Sequence, residues 1–135
     1  MIFLLDTNAC IAVITGNPPQ VRRRFRQAAG EGGTIAVSTI VLSELWYGAS
    51  RSGRPTENGE RVQAFAAEIQ TFPFDNEAAK TAGTIRAALA RSGTPIGAYD
   101  CLIAGHAMRL GATLVTDNVR EFQRIEGLNW RNWAE

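Results

Sequence analysis

Two kinds of apolar pattern alternate along this chain, and that alternation constrains its fold more than any other feature. The runs "IFLL" at Ile2–Leu5, "TIAV" at 34–37 and "ATLV" at 112–115 are short and nearly continuous, as strands covered on both faces are. Between them the apolar residues return every three or four positions. "TNACIAVITG" reads as a short helix stopped near Gly16, and Pro18 and Pro19 open a second helix carrying Val21 and Phe25 on one side. Ser38 caps a third, in which Val41, Leu42, Leu45, Trp46 and Ala49 form an apolar stripe. "RSGRPTENG" is expected to be a loop, with helical pattern resuming over residues 60–70. "TFPF" is a weak strand candidate, suited to an edge because of Pro73. Asp75 caps an Ala-rich helix, and another helix runs from near Ala98 to Gly111. "DNVREFQRI" reads as a short helix or turn and "LNW" as a last strand. Such a βα alternation implies a three-layer α/β/α architecture with a mostly parallel central sheet.

A chain of 135 residues with 45% hydrophobic content fits one globular domain over residues 1–135. No membrane span or secretory leader is expected. Asp6 interrupts the first apolar run and no basic region precedes it, so a cytoplasmic protein is expected. Cys10 and Cys101 are too few for a disulfide framework and read as reduced packing residues. The formal net charge of +1 neither demands nor excludes a nucleic-acid partner. Of the 14 basic residues all but Lys80 are Arg, and Arg22, Arg23, Arg24 and Arg26 crowd "VRRRFRQ". They form either an RNA-contacting surface, since the guanidinium fork suits phosphate, or a solvated helix face or subunit interface.

The acids are distributed with more order. Asp6 follows "IFLL", Asp117 follows "ATLVT", Asp100 stands in the first turn of the helix before the fourth strand, and Glu44 lies at the margin of the apolar stripe after Ser38. Asp75 has the position of an ordinary N-cap. Asp6 has two readings, a cap that starts a turn or a site residue at the carboxyl end of a central strand, where open α/β sheets bind ligands. If strands one and four are neighbours where the strand order reverses, all four acids converge on one crevice.

Like charges gathered in a partly desolvated crevice raise one another's pKa and oppose folding unless a cation compensates them. Oxygen ligands without thiolate or imidazole select Mg²⁺ or Mn²⁺, one ion or two. His106 lies six positions beyond Asp100, on a different side of the same helix, and is not expected to be a ligand or base. A carboxylate and metal site lacking a Ser, Cys or His nucleophile suits phosphodiester hydrolysis by activated water. Thr7, Asn8, Thr116 and Asn118 either orient carboxylates and water in such a site or serve as local caps.

"LLDTN", "STIVLSEL", "IGAYDCLIAGHA" and "TLVTDNVREFQRIEGLNWRNW" resemble, in order and over nearly the whole chain, the four motifs of PIN-domain ribonucleases, in particular the VapC toxins of VapBC toxin/antitoxin modules. The resemblance implies a PIN-like domain acting as a magnesium-dependent endoribonuclease that silences translation by cutting RNA, commonly tRNA or ribosomal RNA. It also implies a VapB-like antitoxin that holds the nuclease inactive, and a homodimer whose shared face joins two clefts into one groove. Carried over to this chain, the family's acidic positions are Asp6, Glu44, Asp100 and Asp117, with Thr116 as the polar residue before the last acid.

Three other readings compete. A phosphoryl-accepting receiver domain needs adjacent acids after its first strand and a Lys near its last, whereas Lys80 lies inside the Ala-rich helix. A non-catalytic RNA-binding regulatory module has no need of four acids. A structure-specific DNA nuclease stays open, because metal-assisted hydrolysis does not require a 2′-hydroxyl. Trp46, Tyr47, Trp130 and Trp133 read as packing residues, although aromatic rings also stack on bases.

Overall fold

The computed structural model describes residues 1–135 and is built on a five-stranded sheet ordered β3-β2-β1-β4-β5. The strands are β1 (Ile2–Leu5), β2 (Thr34–Ser38), β3 (Gln70–Phe72), β4 (Thr113–Val115) and β5 (Trp130–Arg131), and every pairing is parallel. Strand order reverses between β1 and β4. There Phe3, Leu4 and Leu5 lie opposite Thr113, Leu114 and Val115, so both strands end side by side. The amide of Asp6 continues the pairing by donating to the Val115 carbonyl at 3.0 Å.

Leu4, Leu5, Ala36, Val37 and Leu114 have no exposed surface, which accounts for the continuous apolar runs of these strands. Burying each Leu or Val contributes about 1.5–3 kcal/mol. The connections from β1 to β2 and from β2 to β3 advance toward one edge, and those from β3 to β4 and on to β5 return past β1 to the other. Right-handed crossovers therefore send the helices to opposite faces and make three layers. Helices α1 (Thr7–Thr15) and α2 (Pro19–Gly30) fill the first connection, α3 (Thr39–Ser50) and α4 (Pro55–Glu68) the second, and α5 (Asn76–Arg91) and α6 (Ala98–Leu110) the third. The four-residue α7 (Val119–Phe122) leads toward β5.

Helix ends follow local chemistry. Asp6, Ser38 and Asp75 accept from the amides of Ala9, Ile40 and Ala78, supplying N-caps to α1, α3 and α5. Gly16 and Gly111 close α1 and α6 at φ 75° and 63°, a conformation open to glycine and strained for other residues. Two expectations need correction. Residues 55–59 are not loop but the first turn of α4, because Pro55 occupies a first-turn position where its missing N–H is harmless and Glu57 favours the helix N-terminus. Trp46 is not a core member of the α3 stripe. It is 38% exposed, and its ring lies over α4 at Gly59, where an added Cβ would stand 3.3 Å from it.

Candidate active site

Asp6 stands where β1 passes into α1, and only 7% of it is exposed. Its Oδ1 accepts from the Ala9 amide at 2.8 Å, so the capping role is real. Burial nevertheless pushes the carboxyl up to about 6; hydrogen bonds from Thr116 and Ala9 pull it down, and the charges of Asp117 and Glu44 raise it further. Capping alone leaves these neighbouring acids without a reason.

Glu44 projects from α3 toward α1. Its Oε2 accepts from Thr7 Oγ1 at 3.0 Å, whereas Oε1 is buried with no hydrogen-bond partner. A buried carboxylate oxygen without a donor is expensive, and such an atom signals a missing ligand or proton. Asp100 lies in the first turn of α6, where the helix dipole favours its anion. Even so its carboxyl is pushed up to about 6, first by burial, then by a hydrogen bond and charge from Glu121, then by Asp6 and Glu44.

Asp6, Glu44, Asp100 and Glu121 thus share one crevice at the carboxyl end of β1 and β4. No three Asp, Glu, His or Cys side chains stand in metal-holding geometry, so the acids surround the crevice without closing on a common point. Asp117 is close enough to act on Asp6, but it is exposed and lines the adjoining cavity. Three polar neighbours hold carboxylates in place. Thr7 holds Glu44, Thr116 lies beside Asp6 and draws its pKa down, and Asn118 Nδ2 donates to Glu121 Oε2 at 3.1 Å. The Thr116 hydroxyl also accepts from the Asn118 amide at 3.0 Å, fixing the turn after β4. Asn8 is exposed on the first turn of α1.

The PIN domain model matches residues 3–128. Over 132 residues the chain is 44% identical to the tRNA(fMet)-specific endonuclease VapC of Salmonella typhimurium strain LT2, covering 98% of each. This chain belongs to the PIN-domain family, with the VapC ribonucleases. Solved structures agree with that placement. The chain is similar to VapBC2 from Rickettsia felis bound to a DNA fragment from their promoter, with TM-score 0.92, 38% identity and coverage of 98% of this chain and 99% of that one. It is also similar to DNA-bound VapBC from Salmonella typhimurium, with TM-score 0.90, 43% identity and 98% coverage of both.

Within this PIN domain, Glu121 is the residue that reading the sequence overlooked. It stands in the short helix expected within "DNVREFQRI", just after the acid that ends the fourth strand, and that closeness in sequence was the available signal. The basic stretch of α2 is less free than its composition suggests. Arg22 donates to the carbonyls of Val13 and Ile14 at 2.9 Å each, closing the end of α1, and Arg24 donates to the Glu135 carbonyl oxygen at 2.7 Å. Arg23 and Arg26 are exposed. His106 is 1% exposed and packs edge-on against Phe74 at 5.5 Å, its pKa lowered by burial and its Nδ1 unpartnered. Both cysteines are buried free thiols, and burial pushes each pKa up, so neither is an activated nucleophile.

Proposed function

We propose that residues 1–135 act as one PIN-like nuclease domain, the toxin of a type II toxin/antitoxin module that hydrolyses RNA phosphodiester bonds with the aid of Mg²⁺ or Mn²⁺. The observation that carries this reading is the unpartnered Oε1 of Glu44 beside two aspartates whose carboxyls are held up to about 6. The donor set is all oxygen, which fits a hard divalent cation. Asp6, Glu44 and Asp100 are the residues to hold it, with Asp117 on the exposed side and Glu121 beside Asp100. When bound, the cation activates water for attack and neutralises charge on the phosphodiester.

The chain's own groups prepare that chemistry. Thr7 occupies one oxygen of Glu44 and leaves the other to a ligand, while Thr116 fixes Asp6 from the β4 side. Asn118 steadies Glu121, whose charge raises the Asp100 carboxyl. Single-stranded or looped RNA suits an open crevice at the carboxyl end of the sheet. The relatives named above as VapBC complexes support a VapB-like antitoxin partner for this chain, and a homodimer stands beside it as part of the same proposal. A groove of about 300 Å³ between α1, α3 and α4, floored by Leu45, Ala49 and Val62 with Glu44 on its wall, is suited to the antitoxin tail. A basic residue of that tail pairing with Glu44 would inhibit by occupying the crevice. No helix is long and apolar enough to cross a membrane. We place the protein's action in the cytoplasm, where its RNA substrates are.

The test is cleavage of a cellular RNA pool by folded, antitoxin-free protein. Activity should fall to background in EDTA and return with Mg²⁺ or Mn²⁺. Equal cleavage with EDTA present would overturn the metal mechanism.

A further inference from the structure

Beside the acidic crevice lies a second cavity, of about 210 Å³, most of whose lining takes no part in the hydrolytic chemistry. Thr116 and Asp117 form the wall between the two, so whatever fills the cavity stands next to the carboxylates. Its rim carries three amide side chains, Asn8, Asn17 and Asn132, and its inner side carries the Trp133 indole, which is only 5% exposed. Asn132 Oδ1 accepts from the Ala134 amide at 2.9 Å, which fixes the side chain while its Nδ2 makes no hydrogen bond within the protein. The amides of Asn8 and Asn17 are likewise uncommitted and exposed.

The dimensions and the chemistry select one class of occupant. Sites enclosing drug-sized ligands measure roughly 300–1,000 Å³, so this smaller space takes a single ring system rather than a whole nucleotide with its phosphates. No Arg or Lys lines it, which disfavours phosphate as the group held. An amide offers a donor and an acceptor side by side, matching the edge of a nucleobase, and unstacked bases of single-stranded RNA are bound by such edges against aromatic and apolar walls. We infer that this cavity is a base-reading subsite, which receives one unstacked nucleobase flanking the scissile phosphodiester and reads its edge with Asn17 and Asn132. The inference rests on the nuclease reading above and adds the origin of sequence preference to it.

Two measurements separate the subsite from that reading. In the first, ¹⁵N-labelled protein is titrated with adenosine, guanosine, cytidine and uridine in turn. The Trp133 indole and Asn132 amide resonances should move for one nucleoside well before the others, and Asn17→Ala or Asn132→Ala should weaken its binding by roughly tenfold, the worth of a good amide to base pair. In the second, a randomised RNA library is cut and sequenced. The unaltered protein should prefer one base at a single position beside the cut, and both variants should flatten preference at that position. Selective nucleoside binding without any RNA cleavage would leave the subsite standing and remove the nuclease reading. Metal-dependent cleavage with none of the nucleosides moving these resonances, or with an unchanged base preference in Asn17→Ala, would overturn the subsite alone.

Discussion

Asp6 performs two tasks that a substitution can separate. Asn caps a helix as well as Asp, so Asp6→Asn keeps the bond to the Ala9 amide and removes only the charge. The folded carboxyl titrates near 6 against an ordinary value of 3.8, so between these values the folded state holds a proton that the unfolded chain has lost. Metal-free stability should therefore decline as pH rises from about 4 to 6 and stay low above it. Asp100 acts in the same direction, discounted for its partial exposure. At neutral pH, Asp6→Asn should raise metal-free stability by on the order of 2 kcal/mol and flatten the acid slope, while losing both the stabilisation by added Mg²⁺ and RNA cleavage. Denaturant melts across pH, with and without Mg²⁺, check this. A steeper acid slope in the variant would show that Asp6 is not the group responsible. The capping role of Asp6 was legible from the sequence, whereas the unpartnered oxygen of Glu44 and the contact of Glu121 with Asp100 depend on side chains from different elements.

The element whose placement matters most is α6, because its first turn carries Asp100. It packs on α5 through a close approach in which a Cβ added at Gly105 would stand 2.6 Å from backbone atoms of Ala82. Gly105→Ala must push the two helices apart, and overpacking of this kind costs about 1–3 kcal/mol. Gly83, on α5, meets nothing within 4 Å, and Ala there should stabilise the helix by about 0.5–1 kcal/mol. Thermal melts should move in opposite directions for the two variants, and Gly105→Ala should also reduce cleavage by displacing Asp100. Helix periodicity revealed α6 and its ends. That Gly105 is a packing point and Gly83 a mere weakness is invisible in the pattern, since both are glycines inside helices. The start of α4 was hidden for a related reason: Gly53, Pro55 and Gly59 look like loop punctuation until Trp46 is seen lying across Gly59.

At the scale of the whole molecule, the doubly wound sheet leaves two of its grooves beside a crowded acidic end. The one ion pair, Arg54 with Glu57 at 3.3 Å, is exposed, so ion pairing holds little of the fold together. Stability rests on the apolar layers, and surface guanidiniums such as Arg23 and Arg26 are available to partners. The groove between α1, α3 and α4 offers a direct test of the antitoxin proposal. Gly48 lies on its wall, and a side chain added there meets no protein atom within 4 Å. Gly48→Arg should therefore fold normally and fill the groove. Antitoxin affinity measured by titration calorimetry should fall by roughly tenfold or more, with inhibition lost in parallel. Unchanged affinity would place the antitoxin elsewhere.

By itself the sequence determined the strands, most of the helices and the parallel three-layer design, because these follow from local periodicity, caps and the handedness of βα connections. It also placed Asp6, Asp100 and Asp117 at the ends of elements that such a sheet brings together. Only the tertiary structure decided how those acids are shared out. Asp117 faces the neighbouring cavity as well as Asp6, Glu121 acts on Asp100, and Arg22 is spent on closing α1. The physical reason is that hydrogen bonds and desolvation act over a few ångströms between residues dozens of positions apart. Residue spacing along the chain carries no record of those distances until β1 and β4 lie side by side.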